Sequence, residues 1–103
     1  MPEEQKNQIL LTELLAQEHP DVEDVMATFR EYVETGMFIY GDAVAQNLNK
    51  VDFSAEQLES LSVLLAVGIE HYKERPKLVS GYERVRSYVQ ELMRKMKKGS
   101  GDF

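Results

Sequence analysis

Two histidines, His19 and His71, are the imidazoles from which this chain would have to build a general base or a metal site. Neither has the company such work requires. His19 precedes Pro20 at what reads as a turn. His71 stands between Glu70 and Tyr72 near the end of a helical pattern, where the negative end of the helix dipole favours an imidazole. A di-iron bundle needs a glutamate three residues before each histidine, but Ala16 and Gly68 occupy those positions. The chain has no cysteine, which excludes thiolate zinc sites, disulfides and a cysteine nucleophile. Gly36, Gly41, Gly68 and Gly81 are isolated and lack the spacing that cradles a phosphate. The many carboxylates read as a solvated charged face. The residues therefore predict a non-enzymatic protein with no catalytic residue, no metal ligand and no cofactor.

What remains is the chemistry of contact. Met37, Phe38, Ile39 and Tyr40 stand together between Gly36 and Gly41. If the helical pattern before them runs on, Met37 and Tyr40 join its buried stripe, and Phe38 points to the opposite side among Glu23, Arg30, Glu31 and Glu34. An aromatic side chain on a charged face is a binding anchor or a subunit contact. If the helix breaks at Gly36, the phase resets and all four residues can pack inside. The expected function is a protein–protein interaction module, a small adaptor, chaperone or regulator. Met37, Phe38, Ile39 and Tyr40 would be its apolar anchor, with Glu31 and Glu34 in an acidic surround that steers a basic partner. A homodimer through the same patch is the nearest variant.

The alternative is a nucleic-acid-associated regulator. Residues 1–72 hold three basic against fourteen acidic side chains, a balance of −11, whereas residues 73–103 hold nine basic against four acidic, a balance of +5. The basic third falls on one helical pattern, but its charges decorate that helix all round, and the acidic remainder would repel phosphates. Nucleic acid is the less favoured partner. The N-terminus carries no secretory pattern, and Leu61 to Ile69 is too short to span a bilayer. With cysteine lacking as well, a cytoplasmic protein is expected.

The elements that must position these residues are helices. Hydrophobic residues make up 43% of the 103 and charged residues 29%, a globular balance that suits one domain, residues 1–98, with a flexible tail over 99–103. A first helix is predicted from Glu3 to Glu18, with Leu10, Leu11, Leu14 and Leu15 on one stripe, ended by His19-Pro20. A second begins at Pro20 or Asp21 and reaches either Gly36 or about residue 49. Ser54 and Gln57 form a capping box, with Phe53 and Leu58 as a hydrophobic staple, so a third helix starts there. It is apolar nearly all round, which places it mid-bundle or against a second subunit. A fourth starts at Lys77, or at Ser80 with Glu83 as a second capping box, and stops at Gly99. The fold class is all-α, a small antiparallel bundle of about four helices, five if the second breaks near Gly36-Gly41.

Overall fold

Leu11, Leu14 and Leu15 recur at helical spacing, and all three are buried by a single helical turn, α1 (Leu11–Leu15). The computed structural model describes residues 11–100, with side chains through residue 96. The first half of the predicted helix from Glu3 therefore lies outside the described residues. Its end comes at Leu15, three residues before Glu18. The N–H of Ala16 bonds back to Thr12 and that of Gln17 to Leu14, closing the turn early. Pro20 then tucks inside while Glu18 and His19 face solvent.

Asp21 accepts from the N–H of Asp24 and starts α2 (Val22–Thr35), with Glu23 and Asp24 at the positive end of the dipole. Val25, Phe29, Tyr32 and Val33 are its buried face. The helix breaks at Gly36. This residue adopts φ 68°, its N–H bonds to the Val33 carbonyl, and the Met37 N–H bonds to the Tyr32 carbonyl at 2.9 Å. That pair of bonds is the Schellman closure, which needs a left-handed residue and so favours glycine. The connection over residues 37–40 leads into α3 (Gly41–Asn47) and a 3-10 turn at Leu48–Lys50. The single long helix allowed by the hydrophobic spacing is not formed, and the bundle has five helices among the described residues.

Ser54 and Gln57 form the anticipated capping box, each side chain satisfying the other's backbone N–H, and α4 (Ala55–His71) follows at once. Phe53 and Leu58 are both buried beneath it. Replacing Ser54 by Ala is expected to cost about 1 kcal/mol in urea unfolding, the usual weight of a lost N-cap. A Ser54→Ala variant as stable as the wild type would remove the cap from the account of this boundary. α5 (Pro76–Ser100) begins at Pro76, not at Lys77 or Ser80. Proline suits a first helical position, so Ser80 becomes an exposed site in the second turn rather than a cap. The helix includes Gly99 and Ser100, and the rest of the expected tail lies outside the described residues.

The helices alternate in direction. Gly68 of α4 lies against Tyr82 of α5, and the Ser62 carbonyl accepts from Arg86, so α4 and α5 run antiparallel. Gln57 approaches Glu23, and Tyr72 approaches Val33, so α4 runs parallel to α2. Residues 37–53 return the chain between them. One core joins all five helices, with Phe29, Leu58, Leu61, Leu65, Tyr82 and Val85 at its centre. Of the two placements expected for α4, enclosure in the middle of the bundle is not formed: Val63 and Val67 are each 57% exposed. No described helix is long and apolar enough to cross a membrane.

Candidate functional site

The connection between α2 and α3 is extended, so successive side chains fall on opposite sides. Ile39 points inward and is 1% exposed, whereas Phe38 is 48% and Tyr40 66% exposed. Met37 is half-buried and packs against the core. The break at Gly36 thus resets the phase, but only Ile39 goes fully inside, with Met37 at its margin. The two outward rings meet edge to face, centroids 4.9 Å apart.

Three tyrosines hold this connection in place. The Tyr82 hydroxyl lies 3.0 Å from the Met37 carbonyl and 3.2 Å from the Tyr32 carbonyl, sharing its proton between them. The Tyr72 hydroxyl donates to the Val33 carbonyl at 2.6 Å. The Tyr32 hydroxyl accepts from the N–H of Leu11 at 2.9 Å, which ties α1 to the same corner. At the end of α2 the Tyr72 and Tyr82 hydroxyls thus add a second donor to the Val33 and Tyr32 carbonyls, which already accept from Gly36 and Met37. Burial, with the neighbouring Tyr72 adding to it, pushes the Tyr82 phenol up to about 12. The fourth support is Gly81, whose Cα meets the Ile39 carbonyl so closely that a Cβ would overlap it.

Phe38 separates two concavities. One, of about 290 Å³, is lined by Leu11, Thr12, Tyr32, Met37, Ile39, Tyr40 and Val44 as well as Phe38, and carries no charged residue. The other, of about 390 Å³, lies between Phe38 and the start of α5 and is lined by Arg75, Pro76, Lys77 and Leu78. Met37, Phe38, Ile39 and Tyr40 are thus brought together as the sequence suggests. Glu31 and Glu34 are exposed on the last turns of α2 but line neither concavity. Arg75 and Lys77 hold the place expected of them. They lie almost forty residues downstream, and only the turn between α4 and α5 delivers them to Phe38.

His19 and His71 are both exposed, and the ring of His71 stacks on Tyr72 at 4.6 Å. Among the described residues no three His, Asp or Glu side chains converge as a metal-binding group. The basic residues of α5 are shared among different neighbours. Arg84 pairs with Asp42 at 2.7 Å, Arg86 donates to the Ser62 carbonyl, and Arg94 lines a groove with Glu56 and Glu59. Compared with protein-family models, with curated proteins and with solved structures, the chain matches none.

Proposed function

We propose that this protein is a non-enzymatic interaction module, a small adaptor, chaperone or regulator, that docks on another protein through Phe38 and Tyr40. The observation that carries the reading is the pair of aromatic rings in edge-to-face contact held outside the core on a pinned connection. Single exposed apolar residues are ordinary on protein surfaces. Two adjacent aromatics on a backbone fixed from below are a different case. The backbone that carries them is held by Tyr82 and Gly81, so little main-chain entropy is lost on binding. The concavities beside Phe38 give a partner side chain somewhere to go, as anchor residues at interface centres require.

The test uses wild-type protein and a Phe38→Ala variant as baits in an extract of the native cell, followed by calorimetry with each purified candidate. A partner bound by the wild type is expected to lose about 2 kcal/mol or more of affinity on Phe38→Ala, the range of an interface hot spot. The variant should unfold at the wild-type temperature, because half of the ring is already in water. Full affinity in the folded variant would count against this patch as the docking site.

A further inference from the structure

We propose that the segment received at Phe38 belongs to another protein and presents an apolar side chain next to carboxylates. This rests on the docking reading above and adds to it the sign of the partner's charge. The concavity on the α5 side of Phe38 has an apolar floor, Pro76 and Leu78, between two cations, Arg75 and Lys77. Among the described residues the ion pairs are Lys73 with Glu70 and Arg84 with Asp42, so neither Arg75 nor Lys77 has a carboxylate at hand. Glu74, exposed on the same connection, does not line the concavity. The Arg75 guanidinium rests 5.8 Å from the centre of the Tyr72 ring, which restrains it beside the groove.

Lys77 sits in the first turn of α5, which contains no acidic residue. A cation there works against the helix dipole, whereas a carboxylate from outside would complement both. The chain as a whole carries −6, yet at physiological salt its distant carboxylates are screened beyond about 8 Å. What an approaching segment meets at Phe38 is therefore an aromatic anchor with an uncharged hollow on one side and a positive rim on the other. Acidic side chains suit the rim, and an aliphatic or aromatic side chain suits the hollow. Glu31 and Glu34, which favour a basic partner when the sequence is read alone, line neither wall.

A random dodecapeptide library displayed on phage, selected on the immobilised full chain, tests this. The expected binders combine Asp or Glu with a large apolar residue. Their affinity should fall about thirtyfold on Phe38→Ala and about tenfold on the double reversal Arg75→Glu with Lys77→Glu, and should weaken with added salt. Binders that need Phe38 but are basic or uncharged, and that ignore the double reversal, would overturn the assignment and leave the docking reading intact. A selection in which no peptide needs Phe38 would overturn both. A dimer in sedimentation that Phe38→Ala dissolves would make the occupant a second copy and would also overturn it.

Discussion

Replacing Gly81 by Ala is expected to destabilise the protein by about 3 kcal/mol, the upper range for forcing a methyl group into a packed site. A Cβ at this position would run into the Ile39 carbonyl oxygen. The obstacle is backbone, so no side chain can swing aside to make room. Either the connection lifts off α5 or α5 shifts away from it. Lifting the connection would withdraw Ile39 from the core and break the Tyr82 contacts with the Met37 and Tyr32 carbonyls. Ser80→Ala is the control, one residue away, exposed and within the same helix. Alanine is the better helix former by a few tenths of a kcal/mol, so that change should leave stability unaltered or slightly raised. Urea unfolding of both variants is the measurement. Equal midpoints would mean that the contact between the connection and α5 contributes nothing. Because Gly81 holds Phe38 and Tyr40 in place indirectly, a folded Gly81→Ala protein should also bind a Phe38-dependent partner more weakly.

Truncating Tyr82 to Ala should cost about 4 kcal/mol, as for a large aromatic side chain lost from a core. Tyr82 is fully buried and is among the largest such side chains. Tyr82→Phe separates the ring from the hydroxyl. It should cost about 1.5 kcal/mol, because the hydrogen bond from the hydroxyl to the Met37 carbonyl is lost. The two variants also differ from the wild type in alkali. The Tyr82 phenol is raised from its ordinary 10.0 to about 12, first by burial and then by its neighbour Tyr72. Below pH 10 the phenol is neutral in both states and its contribution to stability is complete. Between pH 10 and 12 the unfolded chain releases the proton and the folded chain keeps it, so stability falls as pH rises. A rise from 10.0 to about 12 corresponds to about 3 kcal/mol as an upper figure, lost progressively over that interval. Tyr82→Phe should therefore be less stable than wild type at neutral pH and should lose less on going from pH 10 to 12. Parallel stability curves for the two proteins across that interval would refute the assignment to Tyr82.

The two effects converge on the short connection at residues 37–40. Its two outward rings are the proposed anchor, and its inward Ile39, the Gly81 contact and the tyrosine hydroxyls hold them there. Stability and docking should for that reason respond together to changes beneath the connection, and separately to changes at Phe38 or Tyr40.

By itself the sequence determined the helical class and the signals that act over a few residues. The Ser54–Gln57 capping box marks the start of α4 because both partners lie within one turn and need nothing else. The buried stripes of α2, α4 and α5 follow from 3.6-residue spacing, a property of one helix alone. The choice at Gly36 was open, since Val33, Met37, Tyr40, Val44 and Leu48 keep one helical phase across it. Only the tertiary structure decided it: the left-handed glycine is held over Tyr72, and the Val33 and Met37 carbonyls on either side of it accept from the hydroxyls of Tyr72, just past α4, and Tyr82 of α5. The exposure of Val63 and Val67 was likewise settled by where neighbouring elements lie, whereas α1 ends and α5 begins on local signals, the turn bonds of Ala16 and Gln17 and the proline at position 76. The charge beside Phe38 was the least legible feature. Electrostatic surroundings depend on distance in space, and the turn between α4 and α5 places Arg75 and Lys77 on the wall of a concavity that Phe38 also lines.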